Sequence, residues 1–202
     1  MRRSPLSLLL SGVLALAAIV PASAATPQVV EMRTLSYAPS RVTFDRPGRL
    51  IRWVNVTTPD RLHDAISSLP GYFGSGLVGT GERYQFRFTA AGTFTYICSI
   101  HDVMLGRVEV APVVTVVDDA DGTRLRVTLG SERLGRDSDY RWSVFVQGPS
   151  DGALRYARWS RSPVTEIPVA EAGAWTVMVR LRHKPTGTPS SDSPLVTVTV
   201  PG

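Results

Sequence analysis

Short apolar runs that alternate with polar residues, cut at close intervals by turn residues, constrain this chain more than any other feature. Tyr84, Phe86 and Phe88 fall on one side of an extended run, with Gln85, Arg87 and Thr89 on the other. Period two with one wet face is the pattern of an antiparallel sheet. The same rhythm predicts strands over Val29–Leu35, Arg41–Asp45, Leu50–Val56, His63–Ser67, Thr93–Cys98 and Gly106–Val110. Pro47-Gly48, Pro70-Gly71, Gly79-Thr80-Gly81 and Ala91-Gly92 separate them as turns. No stretch of comparable length has helical periodicity, so the expected class is all-β.

Ala111-Pro112 reads as a boundary, giving a first domain over 25–111 and a second over 112–202. Beyond it the pattern predicts seven more strands: Val113–Val117, Thr123–Leu129, Tyr140–Gln147, Ala153–Trp159, Val164–Val169, Trp175–Arg182 and Leu195–Val200. Seven short strands in about ninety residues suggest a second β-sandwich, with Trp142 on a central strand. Its Trp and Tyr residues read as core. His183, between Arg182 and Lys184, reads as surface.

The first residues carry an address. Arg2 and Arg3 precede an apolar run from Leu6 to Val20, and Ala22-Ser23-Ala24 fits a cleavage site, so residues 1–24 are expected to be a signal peptide. Export implies a periplasmic, secreted or cell-surface protein. No later stretch is apolar for the 18 or so residues that a membrane span requires. The 22 Lys and Arg against 17 Asp and Glu are scattered, so nothing reads as a nucleic-acid footprint. With one Cys and three His, the chain cannot form a disulfide framework, a Cys-rich zinc site or a multi-copper enzyme on its own.

That single Cys has informative neighbours. Cys98-Ser99-Ile100-His101-Asp102-Val103-Met104 brings a thiolate, an imidazole and a thioether into seven residues, at the end of a strand and in the loop after it. His63 lies 35 residues earlier. Two imidazoles and a thiolate in a plane, with a weak axial thioether, form the donor set of a blue copper site. Soft sulfur stabilises Cu(I) and imidazole suits Cu(II), so a compromise geometry keeps rearrangement small when an electron moves. Each residue alone has a commoner role in packing, but the four together point to one copper ion.

Around these donors run Leu50-Ile-Arg-Trp-Val-Asn55, His63-Asp64, Phe73-Gly-Ser-Gly-Leu77, Gly81-Glu-Arg-Tyr-Gln-Phe-Arg-Phe88, Ala91-Gly-Thr-Phe-Thr-Tyr-Ile-Cys98 and His101-Asp-Val-Met-Leu-Gly-Arg-Val108. Over residues 28 to 111 this set resembles the plastocyanin/azurin family of cupredoxins, with a short ligand loop similar to that of amicyanin. The resemblance implies a Greek-key β-sandwich with His63, Cys98, His101 and Met104 as ligands. It also implies one-electron transfer between protein partners, an unidentified donor and acceptor. It places Asp64 and Asn55 behind the ligands. His101 would be the electron port, in an apolar patch supplied by Ile100, Val103 and Leu105, with Tyr72 and Phe73 as further candidates. Two departures stand out. Asp64 replaces the Asn common after the first ligand, and a carboxylate there is expected to stabilise Cu(II) and lower the potential. Asp102 follows the second His, where Pro is common.

The second domain resembles immunoglobulin-like or fibronectin type III sandwiches, which implies no chemistry of its own. A spacer, a docking arm or a cell-surface contact would suit it. The leading functional reading is an exported electron carrier and not an enzyme, since four protein ligands leave no open position for substrate. A copper-handling protein for storage or delivery would use the same ligands, although such proteins are often richer in Met and His than this chain. An interaction protein with a structural copper domain is the third reading.

Overall fold

A computed structural model of the chain describes residues 26–59 and 61–202. The expected signal peptide lies outside the described residues. Fifteen strands are formed among the described residues, and no helix.

The first eight strands make two four-stranded sheets. One has β1 (Gln28–Arg33), β2 (Ser36–Ala38), β4 (Arg49–Asn55) and β6 (Arg83–Phe88) in the order β2-β1-β4-β6. The other has β3 (Arg41–Phe44), β5 (Ile66–Ser67), β7 (Gly92–Ile97) and β8 (Leu105–Val110) in the order β3-β8-β7-β5. Strand β2 was not foreseen. The sheets are not wholly antiparallel as the alternation suggested: β1 runs parallel to β4, and β3 parallel to β8. Alternation reports which face of a strand is buried and says nothing about which neighbour it takes. The expected strand from His63 to Ser67 shrinks to Ile66–Ser67, and His63 is held instead by a two-way bridge with Val78.

The inner faces of these sheets pack around Trp53, which is fully buried. Its ring stacks on Phe73 at 5.5 Å and meets Tyr96 edge-on at 5.5 Å. Such pairs add about 0.5–1.5 kcal/mol each beyond burial. Gly106 is required by this packing, because a Cβ there would sit 2.2 Å from the Tyr96 ring.

The remaining strands make a three-plus-four sandwich. Strands β9 (Val113–Asp119), β10 (Gly122–Thr128) and β13 (Val164–Pro168) form one sheet, ordered β13-β10-β9. Strands β11 (Tyr140–Gln147), β12 (Arg155–Ser160), β14 (Gly173–His183) and β15 (Val196–Val200) form the other, ordered β12-β11-β14-β15. The fourth strand of this set, β12, pairs with the third, β11, and not with β13. Trp142 is fully buried on the central strand β11. His183 is not a surface residue. It continues the inward series Trp175, Val177, Val179 and Leu181 of β14, lies against Tyr140 and bonds Thr186 Oγ1 through Nδ1 at 2.8 Å.

A backbone seam joins the two sandwiches. Residues 89–93 exchange hydrogen bonds with two loops of the second sandwich. Ala91 N–H donates to Leu129 O, Ser131 N–H to Thr89 O, and Thr93 and Ser191 donate to each other, all at 2.8–3.1 Å. Gly130 allows this approach, since a Cβ would lie 2.9 Å from Thr89 O and 2.6 Å from the Trp142 ring. Tyr140 Oη adds a bond to Pro70 O at 2.5 Å.

Candidate metal centre

Three potential ligand atoms converge at one end of the first sandwich. Cys98 sits just beyond β7, and the chain turns at once. Met104 N–H donates to His101 O at 2.9 Å, and Cys98 N–H donates to Met104 O at 3.1 Å. These two bonds close the seven-residue loop on itself. They set Met104, fully buried, directly beside Cys98. His63 arrives from between β4 and β5, fixed by Val78 on both its N–H and its carbonyl at 3.1 and 2.7 Å.

Nδ1 of His101 lies 3.5 Å from Cys98 Sγ, and Nδ1 of His63 lies 3.9 Å from it. The donor atoms of His63, Cys98 and His101 are all within 4.8 Å of one another. A trigonal ion with bonds of about 2.0 Å to nitrogen and 2.3 Å to sulfur would hold sulfur and nitrogen about 3.7 Å apart. The observed spacings bracket that value, so the residues fit a metal ion of this size. The donor set of one thiolate, two imidazoles and a nearby thioether selects copper.

Electrostatics keep His63 ready to bind. Burial, then the neighbouring His101 and Arg61, hold its pKa below the ordinary imidazole value. The ring is therefore neutral near pH 7, with a free lone pair. Its Nε2 is buried and meets no hydrogen-bond partner among the described residues, whereas a metal-binding His commonly donates from that nitrogen.

Asp64 ties the His63 and Cys98 segments together through its carboxylate. Oδ1 accepts the Ser99 N–H at 2.7 Å, and Oδ2 accepts the Ser99 hydroxyl. Two charge-assisted bonds thus tie the residue after His63 to the residue after Cys98. The Asp64 carbonyl in turn accepts Tyr37 Oη–H. Burial raises the Tyr37 pKa, with Cys98, Tyr96 and Asp64 adding to the rise, so its hydroxyl remains a donor. Asn55 lies one step further back. Its Nδ2 donates to Arg61 O and Val78 O at 2.6 and 2.8 Å, and its Oδ1 accepts Thr57 N–H at 3.0 Å. It shapes the segment that delivers His63 and touches no ligand side chain in this bond set.

Tyr37 and Ser99 were missed as site residues. Ser99 sits inside the ligand loop and was legible as such. Tyr37 lies far from the motif in sequence and carried no signal.

Ile100, Val103 and Leu105, close to the half-buried His101 in sequence, are exposed, as are Leu62 and Leu77. Tyr72 and Phe73 do not join them. Phe73 is buried on Trp53, and Tyr72 stacks on Phe94 at 4.3 Å and faces Tyr140 of the second sandwich at 5.9 Å. Both serve packing.

No family model matches the chain, and no curated protein matches it. Among solved structures it is similar to a reduced tryptophan-to-tyrosine variant of amicyanin, at 21% identity over 42% of this chain and 82% of that one, with a TM-score of 0.39. It is also similar to a purple cupredoxin from Nitrosopumilus maritimus, at 22% identity over 41% and 98%, with a TM-score of 0.37. A copper-containing nitrite reductase from Thermus scotoductus is similar at 31% identity over 48% of this chain, with a TM-score of 0.42. The match spans only 25% of the reductase's length. Independently of these, two facing sheets close over a Cys-x-x-His-x-x-Met loop, and a second histidine enters from the neighbouring segment. The first sandwich therefore gathers one thiol and two imidazoles at a single point, with the buried Met104 at the end of the same loop.

Proposed function

We propose that the chain is an exported one-electron carrier between redox proteins. The observation that carries this reading is the convergence of two imidazole nitrogens on a buried thiol, with one of the two rings only half-buried in a loop whose Ile100 and Val103 are exposed. When bound, copper supplies a one-electron couple that needs little rearrangement in a site of this shape. His63, Cys98, His101 and Met104 would hold it. The hydrogen bonds that close the 98–104 loop and the Asp64–Ser99 bonds would hold those side chains in place when copper is bound. His101 would pass the electron, while Ile100, Val103 and Leu105 exclude water as a partner docks. Four side-chain donors leave no open position for a substrate, which favours a carrier over an enzyme. The apolar run ahead of Ala25 supports export.

The test is electrochemical. The copper-loaded protein on an electrode should show one reversible one-electron wave and exchange electrons with a soluble mediator. Val103→Glu should slow exchange with a protein partner while leaving the potential in place. Copper bound with no reversible wave would reject the carrier reading in favour of copper handling.

A further inference from the structure

Strand β12 is an edge strand, with β11 as its one neighbour in the sheet. Among the described residues, its backbone makes no hydrogen bond outside that ladder. Proteins commonly blunt such edges with lysine, proline or a bulge, because an open edge recruits other strands. This edge has a bulge at Ala157, where the register shifts between Val144 and Phe145. It nevertheless leaves Tyr156 and Trp159 52% and 50% exposed. Large aromatic rings are the opposite of a protective choice.

The bulge has a geometric result. Trp159 pairs with Ser143 and Tyr156 with Phe145, so both rings project from the same face of the sheet. Arg158 pairs with Val144 and projects from the other face. The rings are supported from beneath and beside. Tyr156 meets Phe145 edge-on at 5.7 Å, Arg180 lies 5.0 Å over Phe145, and Arg161 lies 6.0 Å from the Trp159 ring centre.

Charge selects the occupant. The carboxylates near this edge are already engaged: Asp151 by Arg155, Glu166 by Arg124 and Arg126, and Asp192 by Arg180. Arg158 and Arg161 reach only carbonyl oxygens, those of Glu166 and Arg136, at 3.1 and 3.3 Å. A second copy of β12 would set arginine against arginine, which is unfavourable. A polysaccharide could use the rings and the charge but could not continue the backbone ladder.

We propose that the β12 edge docks an acidic extended segment of a partner protein by strand addition. Alternate side chains of that segment, apolar and acidic, would lie over Tyr156 and Trp159 on one face and against Arg158 on the other, with Arg161 at the rim. Main-chain bonds supply affinity in this mode and alternate side chains supply specificity. Trp, Tyr and Arg are the residue types that most often anchor protein contacts. The inference stands apart from the copper site.

The test is a titration of the whole copper-loaded protein, followed by backbone amide shifts. The probe is a short synthetic peptide alternating glutamate with valine. Parallel titrations use its lysine counterpart, polygalacturonate and phosphatidylglycerol vesicles. The expected result is saturable binding of the glutamate peptide with shifts confined to residues 155–161 and their β11 neighbours. Affinity should fall about ten-fold or more in Trp159→Ala, and similarly in the Arg158→Glu, Arg161→Glu double variant. Both should keep the parent thermal transition and copper spectrum, since the altered side chains are exposed. The proposal is overturned by no saturable binding of the glutamate peptide, or by equal binding of the lysine peptide. It is also overturned if the shifts map elsewhere, or if polygalacturonate or vesicles move these amides while the peptide does not.

Discussion

Two buried histidines, one in each sandwich, separate the molecule into its two kinds of chemistry. His63 and His183 are both inside. The Nδ1 of His183 faces a threonine hydroxyl at 2.8 Å and its ring packs on Tyr140, so its polar need is met by ordinary hydrogen bonding. The Nδ1 of His63 faces a thiol sulfur at 3.9 Å, beside a second imidazole whose ring centre is 4.8 Å away. Both rings are buried, yet only one environment offers soft donors converging on one point. The first sandwich spends part of its core on a polar constellation clamped from outside by Asp64 and Tyr37. The second buries Trp142, Val144, Val146, Val177, Val179 and Leu181 with no such cluster among its described residues.

The sharpest way to break this comparison is to remove each histidine in turn. His63→Ala is expected to abolish the intense visible band of the copper-loaded protein. His183→Ala should leave its intensity and position unchanged. Loss of the band in both would mean that the second sandwich contributes to the site.

Next in size is the core of the second sandwich. Trp142→Ala should cost about 3–5 kcal/mol of stability, measured by denaturant unfolding. Because the backbone seam at 89–93 and 129–131 shares this tryptophan's surroundings, the first sandwich should lose stability with it. Two separated transitions, with the copper-bound one unmoved, would show that the seam does not couple the halves.

The clamp comes third. Asp64→Ala frees Ser99 N–H and hydroxyl and should weaken copper binding about 10–100-fold, as loss of a ligand-orienting partner does. Asp64→Asn keeps an acceptor for Ser99 N–H and removes the charge. It should raise the reduction potential while preserving most affinity, and an unchanged potential would show that the carboxylate does not tune the metal.

The smallest effect belongs to the structural histidine. Thr186→Val removes the partner of His183 Nδ1 and should cost about 1–3 kcal/mol in thermal or chemical unfolding, with no spectral change.

How far the sequence foretold this molecule depends on what kind of information each feature needs. The four donors were legible because they are scarce residue types set close together at a strand end. Most strands of both sandwiches, β2 excepted, were legible from alternation, and so, in principle, was His183. The Trp175-to-Leu181 series puts it on the inner face, and its charged neighbours Arg182 and Lys184 were misleading. Alternation fails where strands end. Tyr72 and Phe73 lie in the irregular segment between β5 and β6, and there nothing local distinguishes a docking patch from a core. The parallel pairings β1–β4 and β3–β8, the Tyr37 bond to Asp64 and the seam through Gly130 all depend on partners distant in the chain. They follow from tertiary geometry, not from local pattern.

The central claim is that Cys98, His63 and His101 together form a copper–thiolate centre. Its most direct test is a titration of the purified protein with Cu(II), read by visible absorption beside Cys98→Ser. The expected result is an intense band at one copper per chain that ascorbate bleaches and an oxidant restores, absent from the variant. Copper binding without that band, or the same band in Cys98→Ser, would contradict the account.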